Sequence, residues 1–121
     1  MQNFEVIEHH VVSGNKIVPT ATLDVVVNGE RKKVVANDNE DPLEALHKAL
    51  HKAFGYRVES WIITPAQKNG KGEILDEFTL VIFGDDKRYV AYEQFPRHLE
   101  RSELYEATIK MYLKALREHK N

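Results

Sequence analysis

The chain has 121 residues, which suits one domain with a single modest core. Hydrophobic residues make up 42% and charged residues 30%, as is typical of a soluble globular protein, and this composition argues against global disorder. The net charge is -2, and the one compact basic run, Arg31-Lys32-Lys33, is too short for a nucleic-acid footprint. The absence of cysteine excludes disulfides, thiolate metal sites and cysteine nucleophiles.

Hydropathy gives no sign of a membrane partner. No apolar stretch approaches the roughly 18 residues that a membrane helix requires. The N-terminal sequence MQNFEVIEHH lacks the basic-then-apolar pattern of a signal peptide. Together with the lack of cysteine, this pattern favours a cytoplasmic location.

Three strands are predicted in the first half of the chain. Asn28-Gly29 separates two strand-forming runs and is the favoured two-residue hairpin turn, because both central positions need positive φ. The segment FEVIEHHVVSG, upstream of this hairpin, is β-rich and ends at Ser13-Gly14-Asn15. We expect Pro19 to interrupt the chain before the strand ATLDVVV.

A helix follows these strands. Asp41 is suited to cap it, and Pro42 fits its first turn because a proline there gives up no useful amide. Gly55 is expected to end the helix. Residues at helical spacing form one apolar stripe: Leu43, Leu46, Leu50, Ala53 and Phe54.

The second half of the chain repeats this order. Strands are predicted at YRVESWIITPA, ILDEFTLVIFG and KRYVAYEQF, with a turn at Gly84-Asp85-Asp86 and a stop at Pro96. Ser102 is the expected cap of a final helix, ELYEATIKMYLKALREH. The predicted fold is therefore α+β, with two βββα units whose helices pack on an antiparallel β-sheet. We place both units, about 4–54 and 56–119, in a single domain over residues 1–121.

The final helix presents two apolar faces, more than packing on one sheet requires. We therefore predict a homodimer, whose candidate interface residues are Tyr105, Ile109, Tyr112 and Leu116. The alternative is a helix in a crowded single core, with its tyrosines reaching toward water.

His47 and His51 have the i, i+4 spacing that some zinc sites use on a helix. A third ligand from Asp38, Asp41 or His9 is conceivable, but nothing in the sequence fixes one. His9 and His10 are adjacent in a predicted strand and so point to opposite faces. We expect boundary histidines and no bound metal.

No motif in the sequence argues for catalysis or for a cofactor. A phosphate cradle before the first helix would need glycines and free amides, whereas Asp38, Glu40 and Asp41 would repel an anion. The sequence contains no nucleophile elbow and no dinucleotide fingerprint. The neighbouring carboxylates Asp76-Glu77 and Asp85-Asp86 are expected to be solvated charges.

Two segments carry a resemblance to a known family. The segment VVSGNKIVPTATLDVVVNGE resembles the opening of the C-terminal regulatory domain of the isopropylmalate synthase and citramalate synthase family, which serves branched-chain amino acid biosynthesis. The segment SELYEATIKMYLKAL is similar to the closing helix of that domain, with Glu103, Glu106-Ala107-Thr108 and Tyr112-Leu113 at the matching places. The resemblance covers about residues 4 to 117, and the order of the motifs agrees with a repeated βββα layout.

This resemblance implies a dimerising module that binds an end-product amino acid, leucine or isoleucine, and thereby inhibits a separate catalytic barrel. A chain of 121 residues has no room for that barrel. The resemblance thus implies a stand-alone or excised regulatory domain that is not itself an enzyme.

The resemblance also implies ligand-binding positions, and the chain departs from the family at several of them. The family enters its first helix through Gly-x-Gly-Pro-Val-Asp-Ala, where this chain has Asn39-Glu40-Asp41-Pro42-Leu43-Glu44-Ala45. In the second half, Gly-Gly-x-Asp-Ala is replaced by Gly70-Lys71-Gly72-Glu73-Ile74. The implied ligand-binding residues are Asn39, Asp41, Ala45, Trp61, Gly70, Gly72, Glu73 and Ile74. Because Asp41 adds a like charge and Ile74 adds bulk, we expect leucine and isoleucine to bind weakly or not at all, and any real ligand to be smaller or less anionic.

Three hypotheses follow. The first is a non-catalytic regulatory module that dimerises and binds a small amino acid or oxo acid effector between its units. The second is a pure interaction domain that has lost its effector and acts on a catalytic partner enzyme. The third, ranked last, is a metal-dependent enzyme that uses His47 and His51.

Overall fold

The computed structural model describes residues 3–68, 70–72, 74–97 and 99–120, and it has the predicted α+β architecture with the βββα order repeated. The first unit comprises β1 (Phe4–Gly14), β2 (Ile17–Val27), β3 (Glu30–Asn37) and α1 (Pro42–Phe54). The second unit comprises β4 (Arg57–Lys68), β5 (Ile74–Gly84), β6 (Lys87–Pro96) and α2 (Arg101–Lys120).

Each unit folds its three strands into an antiparallel sheet, in the orders β1-β2-β3 and β4-β5-β6. The second hairpin of each unit turns through two residues with positive φ. These are Asn28 and Gly29 (53° and 83°) in the first unit, and Asp85 and Asp86 (52° and 59°) in the second. Paired positive φ values match the twist of the flanking strands. The predicted turns are confirmed.

Pro19 lies inside β2, so the expectation that it precedes the strand is wrong. The pairing of β1 with β2 shifts register between Val12 and Gly14, opposite this part of β2. The Pro19 carbonyl accepts a hydrogen bond from the Asp38 amide at 3.0 Å. A proline is tolerated here because a bulge already interrupts the ladder.

Helix α1 begins and ends as predicted. The Asp41 side chain accepts a hydrogen bond from the Leu43 amide at 2.9 Å, and Pro42 occupies the first turn. Gly55 adopts a left-handed conformation (φ 87°), and its amide donates to the His51 carbonyl at 2.8 Å. The whole predicted apolar stripe is buried.

Helix α2 begins at Arg101, so Ser102 lies inside it and is not the cap that we predicted. The Glu103 carboxylate accepts a hydrogen bond from the Glu100 amide at 3.1 Å. This is the carboxylate half of a capping box. Glu100 is therefore the boundary residue.

The buried apolar side chains form one cluster that runs through both units. Helix α1 packs on β2 and β3, helix α2 packs on β5 and β6, and the two helices also touch each other. Helix α1 reaches across to β4, and α2 reaches across to β1. None of the helices in the described ranges is both long and apolar enough to cross a membrane.

The four residues predicted to form a dimer interface on α2 are buried within the chain itself. The exposed fractions are 8% for Tyr105, 7% for Ile109 and 0% for both Tyr112 and Leu116. These side chains leave little surface for a second copy, and the homodimer itself stays a prediction. The helix lies in a crowded single core, because its second apolar face is covered by the first unit, but Tyr105 and Tyr112 are buried and do not reach toward water as that alternative expected.

Candidate functional site

A cavity of about 450 Å³ lies between one end of the second sheet and the start of α2. Small-molecule sites typically occupy roughly 300–1,000 Å³, so this cavity has room for a small ligand. Its walls are largely apolar and comprise Ile63, Pro65, Phe78, Phe95, Leu99 and Leu104. Two charged residues, Asp76 and Arg97, complete the lining.

Strand register explains why these side chains meet. Ile63 is opposite Phe78 in the β4–β5 pair, and Asp76 is opposite both Pro65 and Phe95. Directly opposed residues point to the same face of an antiparallel pair. This is the inner face of the sheet, where Phe78 is 1% exposed. The rings of Phe78 and Phe95 meet edge to face, with centroids 6.1 Å apart.

The two charged residues form an ion pair at the cavity wall. Arg97 Nε lies 3.1 Å from Asp76 Oδ1, and the side chains are 34% and 23% exposed, respectively. The Arg97 amide also donates to the Ile74 carbonyl at 3.4 Å, which ties the segment after β6 to the start of β5. Within the described part of the chain, the two Nη groups of Arg97 have no hydrogen-bond partner. They remain available to an anionic ligand.

A row of aromatic rings connects the cavity to the first unit. The Trp61 ring packs on Phe78 at 6.1 Å, and the His47 ring meets Trp61 at 6.4 Å with an interplanar angle of 72°. His47 is 5% exposed, and its Nδ1 lies 3.4 Å from Glu44 Oε1. Burial lowers the pKa of His47, while the charges of Glu44 and Asp41 oppose this shift. Its buried Nε2 has no hydrogen-bond partner among the described residues.

The two histidines of α1 differ in environment, since His47 is buried while His51 is exposed. His47 faces Trp61 of the second unit. Among the described residues there is no cluster of three His, Asp or Glu side chains that could hold a metal ion. His9 lines a separate groove between β1 and α2. The absence of functional zinc stays a prediction.

The acidic loop before α1, residues 38–41, is held in place by hydrogen bonds to the Asp38 carboxylate. The Asp38 carboxylate accepts from the Glu40 amide at 3.1 Å, from the Asp41 amide at 2.9 Å and from Lys48 Nζ at 2.8 Å. The bond from Lys48 and those from the two amides lower the pKa of Asp38 to about 2. The Asp41 carboxylate is used as the helix cap. This loop thus serves the start of α1.

The predicted ligand-binding residues are dispersed in the structure. Ala45 is fully buried, whereas Asn39, Asp41, Gly70 and Gly72 are exposed and do not line the cavity. Trp61 adjoins the cavity through Phe78, and Ile74 adjoins it through its carbonyl bond to Arg97. Glu73 lies outside the described residues.

Sequence reasoning missed the residues that line the cavity. The sequence predicts a solvated carboxylate at Asp76, and it gives Arg97, which stands alone after Pro96, no motif. The two-residue period of the predicted strand ILDEFTLVIFG was the available signal, since it places Asp76 on the same face as Phe78 and Leu80. The pairing with Arg97, 21 residues away, needed the fold.

No protein-family model matches the chain.

Proposed function

We propose that the protein is a non-catalytic regulatory module whose cavity binds a small amino acid or the corresponding oxo acid. One observation carries this proposal: a single ion pair, Asp76–Arg97, stands in the wall of an otherwise apolar cavity. Ligand sites commonly combine an apolar lining with a few polar groups that fix orientation. The resemblance to regulatory domains that bind amino acids supports the same conclusion.

The chemistry of the pair suits a zwitterion. The planar guanidinium of Arg97 is matched to a carboxylate, with which it makes charge-assisted hydrogen bonds. Asp76, which lines the same cavity, would accept from the ammonium group. An aliphatic side chain would then pack on the aromatic wall formed by Phe78 and Phe95. An oxo acid would use Arg97 in the same way but would leave Asp76 without the ammonium.

The sequence predicted two obstacles to leucine binding, the charge of Asp41 and the bulk of Ile74, and both lie outside the proposed site. Neither Asp41 nor Ile74 lines the cavity. The size of a ligand side chain is instead limited by Phe78, Phe95 and Leu104. The side chain of a leucine-sized ligand therefore meets an apolar wall, and the one carboxylate in the lining, Asp76, is paired with Arg97.

Regulation would act through α2. The cavity is lined by Leu99, just before this helix, and by Leu104 in its first turn. A ligand that contacts both the sheet and this helix start stabilises their present arrangement by its differential affinity. We propose that a catalytic partner enzyme of the acyl-transferring kind responds to this change.

The alternative function is a pure interaction domain without an effector, which the exposed outer face of the second sheet favours. A thermal-shift screen with leucine, isoleucine, valine, alanine and their oxo acids separates the two functions. A ligand at 100 times its dissociation constant adds about 2.7 kcal/mol to the free energy of unfolding, a shift that is easily measured. An unchanged melting temperature with every ligand would support the interaction domain.

A further inference from the structure

The two sheets share a topology but differ in the chemistry of their outer faces, which point away from the helices. On the first sheet this face carries paired charges beside two exposed valines, Val12 and Val35. Asp24 pairs with Arg31 at 2.6 Å, and Glu8 lies 3.0 Å from His10. Lys33 is opposite Asp24 on the same face. These ion pairs make this face partly polar.

The outer face of the second sheet is apolar in its middle, and we call it the outer patch: Ile62, Val81, Val90 and Tyr92. Ile62 and Tyr92 both lie opposite Thr79, while Val81 is paired with Val90. Ile62 is 56%, Val90 47% and Tyr92 61% exposed. Helix α2 packs on the opposite face, over Phe78, Leu80 and Ile82, so it does not cover the outer patch. Contiguous apolar patches of this kind mark interaction sites.

Charges of opposite sign stand at the two ends of the outer patch. At one end, the guanidinium carbons of Arg57 and Arg88 lie 4.9 Å and 5.0 Å from the centre of the Phe83 ring. Glu59 neutralises part of this charge through its 2.7 Å pair with Arg88. At the other end stands Glu77, which has no ion pair among the described residues. The face is thus basic at one end and acidic at the other.

We propose that this face is an interface between two copies of the chain, with the outer patches stacked on each other. Two sheets that pack face to face lie about 10 Å apart. A two-fold axis that runs between the sheets and across the strands places Glu77 of each copy over the basic end of the other. A two-fold axis along the strands would instead place arginine over arginine, which like-charge repulsion disfavours. The face is therefore self-complementary in one orientation, as an isologous dimer requires.

The size of this face bears on how strongly two copies would associate. It consists of three strands and four rows of side chains, from the row of Phe83 to the row of Glu77. A standard interface uses roughly 20–30 residues on each side, so this one is small. We accordingly expect a weak dimer whose fraction rises with protein concentration. It needs no ligand in the cavity and so stands independently of the proposed function.

A matched pair of valines tests the interface. Val90 and Val35 lie on the third strand of their units, both on outer faces, and are 47% and 46% exposed. Sedimentation velocity from low micromolar to near-millimolar concentration should show the wild-type mass rising from 14.0 kDa toward twice that value. Val90→Lys should stay at the mass of one chain, whereas Val35→Lys should behave like the wild type. Comparable melting temperatures confirm that both variants fold.

Charge provides a second test on the same surface. Glu77→Lys places a like charge over the basic end of the other copy and should weaken association roughly tenfold or more, with part of the loss recovered at high salt. A wild-type protein that keeps the mass of one chain at every concentration overturns the proposal. So does a dimer that survives both Val90→Lys and Glu77→Lys, or one that Val35→Lys disrupts equally.

Discussion

The hydroxyl of Tyr112, in the last helix, donates a hydrogen bond to the backbone carbonyl of Tyr56, at the junction between the two units. The same hydroxyl lies 3.3 Å from the Leu50 carbonyl, and the ring packs on Phe54 at 5.8 Å. Tyr112 is fully buried, and burial raises the pKa of its hydroxyl above the usual range. Tyr112 therefore holds α2 against the C-terminal end of α1.

Removing this hydroxyl should destabilise the fold. Tyr112→Phe keeps the ring but leaves a buried carbonyl without its donor, which typically costs about 1–3 kcal/mol. Urea unfolding measures the change in the free energy of unfolding. Tyr92→Phe is the control, because Tyr92 is 61% exposed, and it should unfold like the wild type. Equal stability of the two variants would show that the Tyr112 bond contributes nothing.

Gly84 should not tolerate a side chain, because the ring of Tyr56 occupies the space. A Cβ added at Gly84 would lie 2.5 Å from Cδ2 of Tyr56. The ring has little freedom to move, since its hydroxyl donates to Asp85 at 2.5 Å and it packs at a tilt against the Tyr89 ring, with centroids 5.6 Å apart. Gly84→Ala should lower the free energy of unfolding by about 1–3 kcal/mol, as overpacking does.

The control for Gly84 is Gly70, where an added Cβ would have no heavy atom within 4 Å. Gly70→Ala should leave stability unchanged or raise it slightly, by reducing the entropy of the unfolded chain. Denaturant midpoints for the two variants provide the comparison. A Gly84→Ala chain as stable as the wild type would mean that Tyr56 packs elsewhere.

The stability of the fold should depend on pH through His47. Its pKa is lowered in the fold by burial, so between that value and the ordinary value of about 6.5 the unfolded chain binds more protons. The contribution of neutral His47 is fully present above pH of about 6.5 and is lost as pH falls toward the folded pKa. His47→Gln should flatten this part of the stability curve.

His51, one turn along the same helix and exposed, provides the control. Urea unfolding at several pH values should give His51→Gln the wild-type slope. If His47→Gln instead keeps the full slope, another group is responsible for the pH dependence.

The sequence could predict the features whose cause lies in neighbouring residues. The turn at Asn28-Gly29 and the helix bounded by Asp41 and Gly55 follow from the backbone preferences of the residues themselves, so both predictions are confirmed. The Pro19 and Ser102 predictions are wrong because a bulge in the β1–β2 pairing tolerates the proline and because the Glu103 carboxylate bonds the Glu100 amide at the start of α2.

Features that depend on distant residues were beyond the sequence. The second apolar face of α2 was visible, but only the packing of α2 on the first unit shows that its own chain covers it. Asp76 and Arg97 meet because β5 and the end of β6 are neighbours. No periodicity within either segment specifies that contact.

The choice between an amino acid and an oxo acid should be measurable at Asp76. If its carboxylate accepts from a ligand ammonium group, leucine should bind more tightly than its oxo acid to the wild type. Asp76→Asn should narrow this difference, because the substitution removes the charge that favours the ammonium. Competition titrations with the two ligands give the ratio directly. A ratio unaffected by Asp76→Asn would place the ammonium elsewhere.

The proposed site is tested by isothermal titration of leucine into the wild type, Arg97→Gln and Arg31→Gln. Arg31 forms a 2.6 Å pair with Asp24 on the first sheet and serves as the matched control. We expect leucine to bind the wild type and Arg31→Gln equally. Arg97→Gln should bind roughly ten- to a hundredfold more weakly, as the loss of a charge-assisted bond of about 1.5–3 kcal/mol predicts. Leucine affinity that is the same in Arg97→Gln as in the wild type, or no binding to the wild type by any of the screened amino acids and oxo acids, would contradict the proposed site.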